Sequence, residues 1–293
     1  MRRLLVAVDF SKHSVNALRR AGHLAVADGA TLHVVHVISP EAIEDIQELR
    51  PVSTDRILAD ATARLDALVS SHLGAIRNKP ETTVLVGYAY HELVRFSRDL
   101  GVDLLLMGSR GETEEADHHT GTIATKCVRR APVPVLLVRE GQTAPFEKVV
   151  ACIDFSPTSA KALLFASDIA RLQGASLSLI HAYYPPWLRP SNVLYNLTQS
   201  ITEGEKSRYM EGLRQRMADF VSAHCPGDVT SETHLLERAN SAYAIVDFLR
   251  RSGADLVVLG TRGRTGVKAL LLGTTAERLV HESPCSVLIV KPD

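Results

Sequence analysis

The sequence predicts an α/β protein built from two tandem, doubly wound, five-stranded parallel sheets, one in each half of its 293 residues. Three observations predict this. The chain repeats itself; its apolar runs are short and unbroken and alternate with helical stretches; and each half carries a glycine-spaced loop between a strand and a helix. Residues 2–38 align with 147–183 at an offset of 145, placing Asp9, Phe10 and Ser11 on Asp154, Phe155 and Ser156, and Gly29 and His36 on Gly174 and His181. The run GVDLLLMGSRG from Gly101 then aligns with GADLVVLGTRG from Gly253 at an offset of 152, so the second half holds seven extra residues between the two blocks. The duplication divides the chain into 1–141 and 146–293.

Each half opens on an apolar strand, Leu4 to Val8 or Val149 to Ile153, that ends at an aspartate. Unbroken apolarity, without alternation, indicates burial on both faces, as in a parallel sheet. A helix follows. In the second half Ser156 is placed to cap it, Pro157 suits its first turn, Gly174 suits its end, and Ala162, Leu163, Ala166, Ile169 and Ala170 form the apolar stripe. Strand two starts at Leu32 or Leu177. A polar, helical section comes next, near Ser53–Leu73 and Thr198–His224, followed by a short strand (Thr82–Val86; Thr230–Leu236) and a helix (His91–Asp99; Ser241–Arg251). The glycine strand, its loop and a helix follow, and the last strand is Val133–Val138 or Ser286–Val290. The Pro-rich, aromatic stretch Tyr183–Val193 reads as an irregular surface loop, passive or covering the second site.

The second glycine loop is the most informative stretch. Strand residues Leu256–Leu259 lead into Gly260 and Gly263, a basic loop carrying Arg262, Arg264 and Lys268, and then Gly273, Thr274 and Thr275, where a helix begins. Glycines permit close backbone approach, and a helix N-terminus presents free N–H groups at the positive end of its dipole, so this arrangement suits phosphate. In open parallel sheets a ligand sits outside the carboxyl ends of strands where the winding reverses. Asp9 and Asp154, Val37 and Ala182, and the two glycine loops all fall at such ends. An aspartate there can accept hydrogen bonds from a sugar or base, hold a metal, or cap the following helix.

The first-half loop keeps the spacing, with Gly108, Gly111, Gly121 and Thr122, but not the charge. Glu112 stands where Arg264 does and Ala116 where Lys268 does, with Glu114, Glu115 and Asp117 nearby. A carboxylate about 8 Å from a phosphate charge costs about 2 kcal/mol at an effective dielectric of 20. The second site is therefore expected to be the better anion site, unless salt screens the loop or a divalent cation bridges it. His118 and His119 read as part of a solvated charged loop and not as a metal centre.

Composition narrows the partners. Lys plus Arg and Asp plus Glu are both 33, a balance that favours neither nucleic acid nor a membrane surface. Cys127, Cys152, Cys225 and Cys285 are scattered, as in a reduced, cytoplasmic protein, and Cys152 and Cys285, in or beside apolar runs, read as small buried residues. Asp9 cuts short the only signal-like apolar run, and no run approaches the length of a membrane span.

The D-F-S end of strand one, the G-x2-G-x9-G-[ST] spacing and the closing run P-C-S-V-L-I-V-K resemble the universal stress protein family in a tandem form. The resemblance covers nearly the whole chain. It implies strand order 3-2-1-4-5 in each half and, in the nucleotide-binding branch, ATP in the crevice, with Mg as its companion ion. It also implies that Asp154 and Ala182 lie near adenine and ribose, while Gly260, Gly263, Gly273, Thr274 and Thr275 surround the phosphates. Asp9, Val37, Gly108, Gly111, Gly121 and Thr122 match them in the first half. Members commonly pair through their last strands, so the two halves can form an internal pseudo-dimer, with a homodimer of whole chains also open. The sequence holds no G-x4-G-K-[ST], G-x-G-x-x-G or G-x-S-x-G motif. The first expectation is a nucleotide-dependent regulator of the stress response, read by an unknown protein partner and hydrolysing ATP slowly or not at all. The alternatives are a nucleotide-independent scaffold and a true ATPase with Asp9 or Asp154 as metal ligand.

Overall fold

The computed structural model describes residues 1–74, 78–110, 120–141, 143–188, 201–261 and 272–292. The first half runs β1 (Arg3–Ala7), α1 (Lys12–Asp28), β2 (Thr31–Ile38), α2 (Pro40–Leu49), α3 (Thr54–Leu73), β3 (Glu81–Val86), α4 (Ala89–Asp99), β4 (Leu104–Gly108), α5 (Thr122–Arg130) and β5 (Val135–Val138). The second half runs β6 (Lys148–Cys152), α6 (Pro157–Gln173), β7 (Ser176–Tyr183), a 3-10 turn (Pro186–Leu188), α7 (Glu203–His224), β8 (Ser231–Glu237), α8 (Ser241–Ser252), β9 (Leu256–Gly260), α9 (Thr274–Glu282) and β10 (Ser286–Val290).

The strands form one ten-stranded sheet in the order β3-β2-β1-β4-β5-β10-β9-β6-β7-β8. Each half therefore has the expected order 3-2-1-4-5, and all pairings within a half are parallel. The halves meet at β5 and β10, which pair antiparallel with Leu136 opposite Leu288 and Leu137 opposite Val287. The last strands thus make the internal pair. β4, β5 and β10 are apolar and buried at nearly every position because helices cover both faces. One core layer contains Leu4, Val6 and Val258 beneath α1 and α6, and the other contains Leu5 and Val257 beneath α4, α5, α8 and α9. Both layers run through both halves. Arg20 ties them further: its guanidinium lies 3.7 Å from the centre of the Phe146 ring and donates to Ala144 O, and burial lowers its pKa to about 10.

The caps follow the sequence. Ser156 accepts from Ser159 N, Pro157 opens α6, and Gly174 closes it at φ 67°; α1 has the same ends in Ser11 and Gly29. α2 is additional to the sequence reading. It starts with the same Ser-Pro pair, Ser39 accepting from Ala42 N, yet buries only Ile43, so its apolar periodicity is faint. In the stretch read as an irregular loop, Tyr183 ends β7 and the 3-10 turn follows; residues 189–193 lie outside the described residues. Among the described residues no helix is long and apolar enough to cross a membrane, and all four cysteines are free.

Candidate functional site

The turn that leaves β1 or β6 is built identically in both halves. Phe10 and Phe155 adopt φ 65° and 63°, a left-handed conformation that costs a residue bearing a Cβ about 1–2 kcal/mol. The turn brings Ser11 N within 3.0 Å of Asp9 Oδ1, and Ser156 N within 3.0 Å of Asp154 Oδ1. Serine, not aspartate, is therefore the helix cap, and the aspartate fixes the cap residue. Tertiary contacts hold the phenylalanines in place. Phe10 packs against His36 and under the Arg64 guanidinium; Phe155 packs against His181, Phe220 and Arg216. The histidines are themselves anchored, Nδ1–H of His36 donating to Val8 O and that of His181 to Ile153 O, each at 2.7 Å.

At the other side of each crevice, Gly121 and Gly273 occupy the N-cap positions of α5 and α9, and neither helix has a side-chain cap. An uncapped first turn leaves N–H groups for an anion. Gly121 N donates to Ser109 O at 2.8 Å and Gly273 N to Thr261 O at 2.9 Å, which draws each helix start onto the strand end. Gly273 has φ −62°, so close approach, not backbone freedom, is what favours glycine there: a Cβ would lie 3.3 Å from Thr261 O. Gly108 is tighter still, since a Cβ would meet the His13 carbonyl carbon and Cβ at 2.8 Å.

In the second half Asp154, Ala182, Gly260, Gly273, Thr274 and Thr275 all line one cavity of ≈ 220 Å³. In the first half Asp9, Val37, Gly108 and Gly121 line a cavity of ≈ 280 Å³. Thr122 is not part of that wall, which is formed instead by Ile123 and Ala124 one and two residues on. Gly111, Arg262 and Gly263 lie outside the described residues, as do Arg264, Lys268 and the Glu112–His119 loop. A wider concavity among the described residues, ≈ 1570 Å³, runs along β8 and is lined by none of Gly108, Gly121, Gly260 and Gly273, so volume alone does not mark the site.

Among the wall residues of the second cavity that the sequence did not single out for the site, Ser241 and Cys152 add chemistry. Ser241, at the start of α8, places its Oγ 3.0 Å from Thr275 Oγ1 and so adds a hydroxyl pair where two helix N-termini converge. Cys152 stands where the first half has Ala7, and burial pushes its thiol pKa well above the usual range. Ser241 follows Asn240, which caps α8 through Ala242 N and Tyr243 N, so the local sequence advertised a helix start. Only the fold brings that start to Thr275.

These features define a class: a duplicated doubly wound α/β protein with a crevice at the switch point of each half. The chain belongs to the universal stress protein family, whose model matches residues 1–139 and again 145–291. A universal stress protein of Mycobacterium tuberculosis, Rv1996, is 25% identical over 317 residues, covering 98% of this chain and 94% of that one. Among solved structures, a universal stress protein from Archaeoglobus fulgidus matches with a TM-score of 0.66 at 19% identity, covering 99% of this chain and 98% of that one. The protein PA1789 of Pseudomonas aeruginosa, described as functionally unknown, matches with a TM-score of 0.69 at 20% identity, covering 100% and 93%. At such identities the structures establish the fold alone.

Proposed function

We propose that this chain is an ATP-binding regulator of the stress response, in which nucleotide held in the second cavity selects a conformation that a protein partner reads. The observation that carries this reading is the convergence of Asp154, Ala182, Gly260, Gly273, Thr274 and Thr275 on one cavity beside the uncapped start of α9. Apolar walls from Ile180, Ile245 and Leu259 suit a base, and Asp154 offers a carboxylate to sugar hydroxyls. Gly273, Thr274, Thr275 and Ser241 offer close backbone approach and hydroxyls to phosphate oxygens. Mg would enter with ATP as its counter-ion.

Slow hydrolysis or none fits the same wall. Among the described residues lining the cavity, the ionisable side chains are Asp154 and Cys152. Asp154 already accepts from Ser156 N, and the Cys152 thiol stays protonated at neutral pH. Phosphoryl transfer needs a positioned water and charge stabilisation at the γ-phosphate. Glycines and hydroxyls bind phosphate without supplying either. Equilibrium dialysis of the purified protein with ATP tests the reading: saturable binding is expected, with turnover well below about 1 per second. No binding at millimolar ATP would leave the scaffold alternative, and faster turnover would make the protein an ATPase.

A further inference from the structure

The second half carries a further cavity, of ≈ 540 Å³, across the sheet from its glycine-lined crevice. Phe155, His181, Tyr183 and Tyr184 form one side of it, and α7 forms the other. The two cavities meet at Asp154 and Ala182 but open on different core layers. Phe155 packs against the layer that contains Met217 of α7, whereas Cys152, Ile180 and Ile245 of the crevice belong to the opposite one. The α7 wall is one helical face, Arg208, Tyr209, Gly212, Leu213 and Arg216, recurring at one and two turns.

The matching face of α3 is closed by its own charges. Arg64 lies 4.1 Å from the centre of the Phe10 ring as Arg216 lies 4.3 Å from that of Phe155, which registers α3 on α7 at an offset of 152 and Arg56 on Arg208. Arg56 is satisfied one turn on by Asp60, at 3.2 Å from Nε and 3.1 Å from a terminal nitrogen. In α7 the aspartate is Gly212, and Arg208 makes no ion pair or hydrogen bond among the described residues. The acids beside it are occupied: Glu205 accepts from Thr202 N at 2.8 Å in the cap of α7, and Glu211 pairs with Arg214. A Cβ at Gly212 would meet nothing within 4 Å, so packing does not demand the glycine, which weakens a helix interior and leaves the wall open. Aromatic rings replace the small and aliphatic residues of the first half, Tyr209 for Ile57, Tyr183 for Ile38 and Tyr184 for Ser39. They are held as a wall: Tyr209 stands 5.3 Å from Trp187 and 6.5 Å from Tyr183 between ring centroids, Tyr183 OH donates to Glu237 at 3.0 Å, and Tyr184 OH donates to Leu188 O.

Charge and shape select the ligand. The lining holds two guanidinium groups and the Asp154 carboxylate, a net charge of +1, with His181 committed through Nδ1–H to Ile153 O. Such a balance suits a monoanion and not a polyphosphate. An unpaired guanidinium presents N–H groups in one plane to a carboxylate, and fixed tyrosine faces accept a flat ring. We propose that this cavity binds a small aromatic monocarboxylate, its ring against Tyr209 and Tyr183 and its carboxylate on Arg208, at a site that the first half replaces with the Arg56–Asp60 pair. Its volume lies in the range of small-molecule sites. The site stands apart from the nucleotide reading and does not rest on it.

The test titrates the intact protein calorimetrically with 4-hydroxyphenylacetate, with its uncharged amide and with inorganic phosphate. The carboxylate should bind one site per chain at least about tenfold more tightly than either of the others. Arg208→Gln should reduce it to the level of the amide, and so should Gly212→Asp, which reinstates the ion pair of the first half. Both changes fall on the exposed side of α7, and Gly212→Asp should leave the urea midpoint unchanged or raised, since glycine is the poorer helix former. Tyr209→Ile, the first-half residue, should weaken acid and amide alike. No binding of the carboxylate at about 10 mM would overturn the proposal, as would equal binding of acid and amide, or binding that survives both Arg208→Gln and Gly212→Asp. Phosphate bound as tightly as the aromatic acid would remove the aromatic assignment. Competition between ATP and the carboxylate for a single site would make this cavity part of the crevice and end its claim to be separate, while leaving the ATP reading in place.

Discussion

Replacing Phe155 by glycine should leave a more stable protein than replacing it by alanine, the reverse of the usual order. The ring packs on His181 and Phe220 and under Arg216, with centroid separations of 4.5 Å and 5.7 Å and a guanidinium distance of 4.3 Å. Losing a half-buried ring forfeits about 1.5 kcal/mol of apolar burial, and its aromatic and cation–π contacts add about 0.5–1 kcal/mol each. Both substitutions therefore cost about 3–4.5 kcal/mol in contacts. Alanine keeps the left-handed strain at φ 63°, about 1–2 kcal/mol, which glycine relieves. Glycine's greater freedom in the unfolded chain returns about 0.4–1 kcal/mol of that advantage. The net expectation is glycine above alanine by about 0.5–1 kcal/mol, read as a higher urea midpoint. Alanine equal to or above glycine would refute the claim that this turn stores backbone strain held by the ring contacts. Phe10, with φ 65°, should behave alike.

The glycines at the two strand-helix junctions should separate by severity. Gly108→Ala drives a Cβ to within 2.8 Å of the His13 backbone and should lose about 1–3 kcal/mol in urea unfolding, whereas Gly273→Ala meets only Thr261 O at 3.3 Å and should cost less than about 1 kcal/mol. Burial raises the thiols of Cys127 and Cys285 from 9.0 to about 12, so the unfolded chain ionises first. The stability these thiols contribute is complete below about pH 9 and declines as pH rises toward 12; the urea midpoint should fall over that window, and fall less with both residues changed to alanine. Alkylation of both thiols should be slow in the native protein at neutral pH and become fast on unfolding.

Much of this architecture can be read from one strand type and one repeat. The apolar runs at Leu104–Met107 and Leu256–Leu259 are buried on both faces, and burial on both faces is what removes alternation from a sequence. Ser156, Pro157 and Gly174 act locally, so their positions carry their roles. Phe155 does not: nothing in a phenylalanine announces positive φ, which is imposed by rings and guanidinium groups arriving from β7 and α7. Ser241 and Thr275 are likewise mute until the fold joins two helix starts. Thr122 illustrates the limit of spacing, since matching the second-half threonine by number selects a residue whose neighbour Ile123 forms the wall. α2 was signalled by Ser39 and Pro40, yet a helix that buries one side chain leaves little periodic trace.

ATP in the second cavity is the proposal on which the regulatory reading depends. Denaturing the protein as purified, after equilibration with ATP and removal of free ligand, and chromatographing what is released tests it most directly. ATP in proportion to chain is expected, lost in Gly273→Glu, whose carboxylate would occupy the start of α9, and retained in Gly121→Glu. Absence of nucleotide from the unaltered protein, or equal release from Gly273→Glu, would contradict it.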